Sequence, residues 1–442
     1  MEKEPTRQIQ YRFSRWFSPE NILLGCLLVL PYFSYLALGG LVLFLFWSIK
    51  HRPRALGSLL YSQGWLWLSL GLVFNVLMSY APGESALQVL NFIPFFALYA
   101  AIVLAITNFQ EPLRVLHRWA LGLVLASLPI SLRSAVEFYF NAPTSIERWQ
   151  GSPWLDWLYL QPSYGHRADS VFGHPNVLAN YLVIILGLGL GLIMYYLRHH
   201  KRAPELPWLY GAVFLVLIGI FCSGSRNGLL IAGFLLLIFG WYMRRNRFIA
   251  LTGLGALTAM FLGVLAWGVG DRSLLEAFQA ATLRVDLWQI SSEMIDDHPW
   301  IGIGLGTFKF QYVPYSVPDY KYIAHPHNLV LMFASELGIP VAILFLSIVG
   351  LIVFRGVKAL LAGSASDPTR LILAPYYLGF AGIMGFAMFD LTFYDSRVNV
   401  LGWLMLAVIQ STTALAPASV NPGPKSTLPF ADQSKDPTPS QP

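Results

Sequence analysis

The chain has 442 residues, of which 56% are hydrophobic and only 12% are charged, and its mean hydropathy is +0.56. Soluble domains carry about 25% charged residues, so this chain has too few charges to cover a water-exposed surface, and the composition predicts a membrane protein. Two cysteines exclude a disulfide framework, and the formal net charge of +6 becomes informative only through the position of the basic residues.

Apolar runs of about 20 residues, which are long enough to cross a bilayer, follow one another along the chain. The first run, 21–49, is interrupted by Pro31 and by Gly39-Gly40, and we predict that it forms two helices. The other runs lie at 62–79, 86–107, 113–136, 176–197, 206–222, 227–243, 248–269, 329–354, 371–389 and 398–414. Together they predict an all-α polytopic membrane protein with about twelve transmembrane helices.

Lysine and arginine indicate the orientation, because they are enriched in cytoplasmic loops. With twelve spans both termini are cytoplasmic, and 20 of the 29 lysine and arginine residues fall in cytoplasmic segments. With a single helix over 21–49, the basic N-terminus and the basic segment after this helix would lie on opposite sides of the membrane, which the enrichment on the cytoplasmic side does not allow. The positive charge is therefore a topology signal, and we expect membrane lipids but no nucleic acid as partners.

The predicted organisation is a cytoplasmic segment 1–19, a membrane domain 20–415 and a tail 416–442. The tail is rich in proline and poor in apolar residues, which predicts a disordered cytoplasmic segment. No small-residue cleavage site follows the basic N-terminus, so we do not expect a removed signal peptide. Two long loops, 138–175 and 270–326, are predicted to be external, and the second is predicted to be partly helical.

Ser225-Arg226-Asn227 lies between two apolar runs with almost no loop. A guanidinium group presents a planar fork of donors to phosphate oxygens, and the N-terminus of the following helix adds its free N–H groups. This pattern predicts an anion site around Arg226. The alternative is an arginine that only anchors the helix at the membrane interface.

In the second external loop, Arg284 and Trp288 are four residues apart on a helix predicted over 273–297, so they share a face. The alternative is a surface helix that Trp288 anchors in the bilayer. The alternating glycines of 302–306 do not have the spacing of a dinucleotide-binding motif. We predict that they permit a tight turn and a close approach of two backbones.

His325-Pro326-His327-Asn328 directly precedes an apolar helix that carries Glu336. Neutral imidazole is a base that works near neutral pH, so this motif predicts general-base chemistry. A metal site with both histidines as ligands is the competing interpretation, but no third ligand is obvious in the sequence. We therefore predict neither a metal nor a cofactor.

Two further polar groups belong to the predicted external face. Arg167 and Asp169 precede His174-Pro175-Asn176 at the start of an apolar helix, where Asn176 could simply cap that helix. Arg397 precedes the last apolar run. These residues could support a site built around the histidines and arginines.

The motifs resemble those of the O-antigen ligase and polymerase superfamily of bacterial membrane proteins. The resembling pieces lie in a core from 173 to 338 and are Gly173-His174-Pro175-Asn176, Ser225-Arg226-Asn227-Gly228, Arg284 with Trp288, Pro299 to Gly302 with Gly304 and Phe308, and His327-Asn328 with Glu336-Leu337-Gly338. The resemblance implies a glycosyltransferase of the cytoplasmic (inner) membrane. Its donor would be a glycan on polyprenyl (undecaprenyl) diphosphate, and its acceptor a hydroxyl of a lipid, glycan or protein at the periplasmic face, without metal or nucleotide.

The resemblance also implies that His327 carries catalysis and that Arg226 and Arg284 bind the diphosphate. We expect supporting roles for nine other residues, namely Arg167, His174, Asn176, Ser225, Trp288, His325, Asn328, Glu336 and Arg397. The chain departs from the ligase pattern at Val341, where the second glycine of a Gly-x-x-Gly motif would stand.

Three other activities are compatible with parts of this pattern. A polysaccharide polymerase and a protein O-oligosaccharyltransferase differ from a ligase only in the acceptor, which the motifs do not specify. A transporter of a small anion such as bicarbonate belongs to another class and would place ionisable groups at mid-membrane. Nearly all charges of this chain fall at predicted helix ends, which favours chemistry at the membrane surface.

Overall fold

The computed structural model describes residues 18–140, 164–199, 203–244, 274–315, 323–362 and 368–415, together with a few single positions between 253 and 263. Within these ranges the chain forms α-helices joined by turns and one 3-10 helix, with no strand. The predicted all-α class is confirmed.

The helices of the first part are α1 (Pro19–Val29), α2 (Ser34–His51), α3 (Pro53–Ser62), α4 (Trp65–Met78), α5 (Pro82–Val89), α6 (Ile93–Ile106), α7 (Pro112–Ala126) and α8 (Leu128–Phe140). Those of the second part are α9 (Pro175–His199), α10 (Glu205–Cys222), α11 (Arg226–Met243), α12 (Leu274–Asp297), α13 (Phe308–Gln311), α14 (Leu329–Leu337), α15 (Ile339–Ala362), α16 (Pro368–Ala387) and α17 (Ser396–Leu415). The 3-10 helix spans Val313–Tyr315.

Within the described ranges, nine helical stretches are long and apolar enough to cross a membrane. The shorter apolar helices α1 and α4 accompany them. The chain is thus a multi-pass membrane protein, as predicted. The span predicted at 248–269 lies almost entirely outside the described residues, as do most of segment 1–19, most of loop 138–175 and the tail from 416.

The run 21–49 forms two helices, as predicted. Helix α1 ends at Val29 and α2 begins at Ser34, because Pro31 has no N–H to donate and its ring clashes with the preceding turn. The glycine pair that we expected to contribute to the break instead lies inside α2. A Cβ on Gly40 would lie 2.5 Å from Sγ of Cys26, so this glycine allows α2 to pack closely on α1.

The run 329–354, predicted as one span, is two helices that meet at Gly338. Gly338 has a φ of 81°, a conformation that glycine adopts without strain. A Cβ there would lie 2.5 Å from the carbonyl oxygen of Trp300, and a Cβ on Gly302 would lie equally close to that of Glu336. The predicted close approach of the glycine segment to another backbone is confirmed, and it explains why the run is broken.

Helix α9 is the centre of the described bundle, and its side chains are almost all buried. It packs against α16, α10, α11 and α7. Glycines allow the contact with α16, because a Cβ on Gly187 would lie 2.5 Å from the backbone nitrogen of Gly379 and one on Gly191 would lie 2.4 Å from Pro375. This packing brings the N-terminus of α9 beside the segment that follows α16.

Candidate functional site

Polar residues meet at one end of the bundle, where several apolar helices begin or end. The contributing parts are the start of α9, the turn between α10 and α11, the segment before α14 and the segment between α16 and α17. Side-chain hydrogen bonds join all four. Helix α12 packs on this group through its Arg284 and Trp288 face.

The geometry of His327 is set by a buried carboxylate that the motif analysis did not identify. Nδ1 of His327 lies 2.9 Å from Oδ1 of Asp390, whose side chain is only 6% exposed, whereas that of His327 is 31% exposed. A carboxylate beside Nδ1 holds the ring proton on that atom and leaves Nε2 with a lone pair. Within the described part of the chain this Nε2 has no hydrogen-bond partner, so the ring presents a nitrogen that can accept a proton.

The backbone around His327 is held by Asn328, which begins the next helix. Oδ1 of Asn328 accepts hydrogen bonds from the N–H groups of Val330 and Leu331, so that it caps α14. Its Nδ2 donates to the carbonyl of Met388 at 3.1 Å, which ties the cap to the segment that carries Asp390. His327 itself has a φ of 56°, an uncommon conformation for a residue other than glycine.

A chain of hydrogen bonds supports the second oxygen of Asp390. Nδ2 of Asn176 donates to Oδ2 of Asp390 at 2.6 Å, and Oδ1 of Asn176 accepts from Nη2 of Arg167 at 2.7 Å. Arg167 also donates from Nε to the carbonyl of Ser223. Asn176 and Arg167 therefore orient the carboxylate that orients His327.

Asp390 is stabilised in its charged form. Burial opposes the charge, but the hydrogen bond from His327 and the nearby His327, His325 and Arg284 side chains hold the pKa of this carboxyl well below its usual range. The backbone N–H of Leu391 donates a further hydrogen bond to it at 2.9 Å. An ionised carboxylate at this position can stabilise an imidazolium that forms on His327.

One arginine of the predicted anion site, Arg226, precedes Asn227 in the chain, and the other, Arg284, contacts the Asn227 side chain. Arg226 is the first residue of α11, and Ser225 caps this helix by accepting the N–H of Gly228. Nη1 of Arg284 donates to Oδ1 of Asn227 at 2.9 Å. The Arg284 guanidinium therefore lies at the start of α11, whose first residue is Arg226 and which presents the positive end of a helix dipole, a feature that suits phosphate oxygens.

Trp288 connects this group to the histidine segment. Its Nε1 donates to the carbonyl of Pro326 at 3.1 Å, directly before His327. Arg284 and Trp288 thus face the same group of residues, as their spacing predicts.

Two further histidines, His174 and His325, are partly buried in the same group. The rings of His325 and His327 are 4.4 Å apart between centroids. Burial lowers the pKa of His174 and lowers that of His325 to about 4, so both imidazoles are neutral near pH 7.

Glu336 and Arg397, which we expected to support the site, bind protein groups in neighbouring loops. Glu336 is buried and accepts the N–H groups of Gly306 and Phe308, so it holds the glycine segment. Arg397 donates to Asp395 and to the carbonyls of Val171 and Phe172, and so fastens the loop that carries Arg167 and His174. Glu336 and Arg397 therefore hold neighbouring loops in place by hydrogen bonds.

The structure corrects one point about metal ligands. A third potential ligand does exist, since His325, His327 and Asp390 each offer an atom within 4.8 Å of the others. Nδ1 of His327, however, already faces Asp390, and Nδ1 of His325 accepts the backbone N–H of His327, so the proton of a neutral His325 ring is on Nε2 and a cation could bind this ring only after a change of tautomer. The donor set therefore fits a hydrogen-bonded array better than a cation.

Asp390 is the residue that sequence reasoning missed. It is one of two carboxylates, with Asp395, between the apolar runs 371–389 and 398–414, at an end predicted to be external. An acid directly after an apolar run, at the same predicted face as His327, was the available signal, because a buried charge near a membrane needs a partner.

The fold and these residues define an all-helical multi-pass membrane protein with a polar site at one end of its helices. A family model described as O-antigen ligase matches residues 211–346, which confirms the resemblance to the O-antigen ligase superfamily. The match supports O-antigen ligase-like glycan transfer in general. The matched segment contains Arg226, Arg284 and His327 but neither Asn176 nor Asp390. No curated protein matches the chain.

Proposed function

We propose that the protein transfers a glycan from polyprenyl diphosphate to an acceptor hydroxyl, with His327 as the general base. The observation that carries this proposal is the hydrogen bond between Nδ1 of His327 and the buried Asp390, which leaves Nε2 as the basic atom. The two arginines near the start of α11 supply the complementary part, a binding site for the diphosphate.

The chemistry is a single displacement. Nε2 of His327 removes the proton of the acceptor hydroxyl while its oxygen attacks the anomeric carbon of the donor sugar. The bond from that carbon to the diphosphate breaks, and polyprenyl diphosphate leaves with the electron pair. Because the attack comes from the face opposite the leaving group, the anomeric configuration is inverted.

The arginines, His327 and Asp390 stabilise different charges during the reaction. Polyprenyl diphosphate is already a good leaving group, so Arg226 and Arg284 need only stabilise the charge that develops on it. The hydroxyl is a weak acid, so its deprotonation requires a placed base. Asp390 stabilises the imidazolium that results, and Asn176 with Arg167 keeps Asp390 in place.

The supporting experiment reconstitutes the full chain in lipid nanodiscs with an undecaprenyl-diphosphate-linked sugar and an acceptor, and measures the release of undecaprenyl diphosphate. We expect acceptor-dependent release that His327→Ala lowers by about 10² to 10⁴-fold, the usual contribution of a general base, while the donor still binds. Full turnover by His327→Ala would contradict the proposal.

We also propose that the site faces the periplasm and that both termini are cytoplasmic, as the distribution of lysine and arginine predicts. Single cysteines test this in a background with Cys26 and Cys222 replaced by serine. Cysteine at Trp300, an exposed residue of the loop 270–326 that is predicted to be external, should react with an impermeant maleimide in intact cells. Cysteine at Arg244, at the other end of α11, should react only after lysis, and the reverse pattern would refute this orientation.

A further inference from the structure

A cavity of about 1380 Å³ lies at the end of the bundle opposite the candidate site. His117 near the start of α7 and Tyr196 near the end of α9 both line it, and Nε2 of His117 lies 3.1 Å from Oη of Tyr196. Asn176 of the candidate site is at the other end of α9, roughly 30 Å along the helix from Tyr196. The cavity is therefore separate from the residues proposed for glycan transfer.

The cavity lies between two helix pairs, α1 with α7 and α2 with α6, whose members pack on each other. Nε1 of Trp119 donates to the carbonyl of Glu20 at 3.2 Å and joins the first pair. Nη1 of Arg52 donates to the carbonyl of Leu104 at 3.3 Å and joins the second. Gly25 of α1 lines the space between the pairs, and a Cβ on it would meet nothing within 4 Å.

Below its mouth the cavity has an apolar wall that follows the helices into the bilayer. This part of the wall includes Leu24, Leu28, Leu104, Ala105 and Leu121. From Glu20 to Leu28 the lining extends roughly 12 Å along α1. Helices α6 and α7 belong to stretches that are long enough to cross a membrane. An apolar wall at this depth suits a hydrocarbon chain.

The mouth of the cavity carries charges of both signs. Its charged residues are Arg52, Arg114, Arg118, Glu20, Glu111 and Glu205. Nη1 of Arg114 and Oε2 of Glu111 are 2.9 Å apart, so this pair compensates its own charge. The other two arginines and two glutamates form no ion pair within the part of the chain that the structure describes.

The two remaining arginines are held by neutral acceptors. Arg52 donates to the carbonyl of Leu104, and Nη2 of Arg118 donates to Oδ1 of Asn21 at 2.8 Å. Each guanidinium group is thus placed at the cavity without a carboxylate that balances its charge. Planar guanidinium donors match phosphate oxygens, and basic pockets between transmembrane helices bind phospholipid headgroups.

The glutamates identify the kind of headgroup. A purely anionic headgroup would bring negative charge towards Glu20 and Glu205, which line the same mouth. A headgroup that joins a phosphate to a primary ammonium matches both signs, because the ammonium donates hydrogen bonds to a carboxylate. Glu20 is half-buried and directly precedes Asn21, the residue that Arg118 contacts. Both charges of such a headgroup therefore find a partner in one place.

We propose that this cavity binds phosphatidylethanolamine from the leaflet opposite the candidate site. Arg52 and Arg118 bind its phosphate, and Glu20 binds its ammonium. One acyl chain follows the apolar wall past Gly25. The inference is independent of the proposed function, because the cavity and the candidate site share no residue.

The experiment uses the full chain, purified in detergent and freed of lipid, and measures lipid binding by native mass spectrometry. The probes are phosphatidylethanolamine, phosphatidylcholine, phosphatidylglycerol and the soluble headgroup phosphoethanolamine. We expect phosphatidylethanolamine to bind about tenfold more tightly than either other lipid, the scale of one charge-assisted hydrogen bond. Phosphatidylcholine has no N–H to donate, and phosphoethanolamine has no acyl chain, so both should bind more weakly.

A glycine variant tests the cavity without changing a charge. Gly25→Leu places a side chain in the open space and should weaken phosphatidylethanolamine binding at least about tenfold, since it removes room for the acyl chain. Gly39→Leu in α2 is the matched control, because a Cβ there also meets nothing within 4 Å but Gly39 does not line the cavity. It should bind phosphatidylethanolamine as the wild-type protein does.

Charge variants test the headgroup contacts. Arg52→Gln should weaken phosphatidylethanolamine and phosphatidylcholine alike, because both have the phosphate. Arg54→Gln is its control, since Arg54 lies at the same end of the bundle but does not line the cavity. Glu20→Gln should remove the preference for phosphatidylethanolamine over phosphatidylcholine and leave phosphatidylcholine binding unchanged.

Three results would overturn the proposal. Equal binding of phosphatidylethanolamine and phosphatidylcholine, or tighter binding of phosphatidylglycerol, would refute the headgroup assignment. Binding of phosphoethanolamine as tight as that of the lipid would show that the apolar wall contributes nothing. Equal affinities of Gly25→Leu and Gly39→Leu for phosphatidylethanolamine would place its binding outside the cavity.

Discussion

Nδ1 of His327 and Oδ1 of Asp390 are 2.9 Å apart, although 63 positions separate the two residues in the chain. One residue lies immediately before α14 and the other between α16 and α17. This contact gives the imidazole a defined tautomer, with the ring proton on Nδ1.

Asp390→Asn should lower turnover by about 10² to 10⁴-fold, because a neutral amide neither fixes the proton on Nδ1 nor stabilises the imidazolium. The half-saturating donor concentration should change little. The measurement is steady-state release of undecaprenyl diphosphate. Asp296→Asn, on the exposed face of α12, is the control, and equal turnover in the two variants would remove Asp390 from the mechanism.

Arg226→Lys and Arg284→Lys should raise the half-saturating donor concentration and lower turnover together. Lysine keeps the charge but cannot make the paired hydrogen bonds of a guanidinium group. We expect about tenfold weaker donor use for each, the loss of about one charge-assisted hydrogen bond. Arg244→Lys, at the far end of α11, should leave donor saturation unchanged. Wild-type donor saturation in both site variants would contradict a diphosphate site at the start of α11.

Gly302→Ala and Gly338→Ala should each lower the Tm of the detergent-solubilised protein. Both glycines have positive φ, and an added Cβ would lie 2.5 Å from backbone atoms of the facing segment. Strain of about 1–3 kcal/mol per position is the expected scale. Gly350→Ala is the control, because a Cβ there meets nothing within 4 Å. An unchanged Tm in both variants would show that the backbones do not meet as described.

The apparent Tm should fall as the pH is lowered from about 6.5 to about 4. Burial lowers the pKa of His325 to about 4, so in this window the unfolded chain binds a proton that the folded protein does not. Stability therefore rises with pH across the window and is lost as the pH falls. Asp390 stays ionised in this pH range, because the neighbouring His327, His325 and Arg284 side chains hold the pKa of its carboxyl well below the usual value. His325→Asn should reduce this pH dependence, and an equal slope in that variant would contradict the assignment.

Treatment with EDTA followed by gel filtration should leave turnover unchanged, because Nδ1 of His327 already faces Asp390 and Nδ1 of His325 already accepts a backbone N–H, an arrangement that suits hydrogen bonds better than a cation. The measurement combines the activity assay with elemental analysis of the same sample. Loss of activity with loss of a stoichiometric metal, restored by that metal, would replace the general-base mechanism with a metal-dependent one.

The motif residues of the site were identifiable from the sequence one by one. The spacing of Arg284 and Trp288 placed them on one helix face, and the glycines around Gly302 indicated a close backbone approach. The break at Gly338 was missed, because an apolar run of membrane length gives no sign of the loop that packs against it. Val341, where the chain departs from the ligase pattern, lies close to Gly71 of α4. This contact between distant segments is likewise not indicated by any local pattern.

The sequence alone determined the class of protein and the positions of most helices, because the length and hydrophobicity of each run are local properties that a bilayer selects directly. Only the tertiary structure decided which polar residues form hydrogen bonds with each other. Asn176 and Asp390 are 214 positions apart and meet because glycines let α9 and α16 pack closely. Hydrogen bonds over such separations depend on helix packing, which no local pattern encodes.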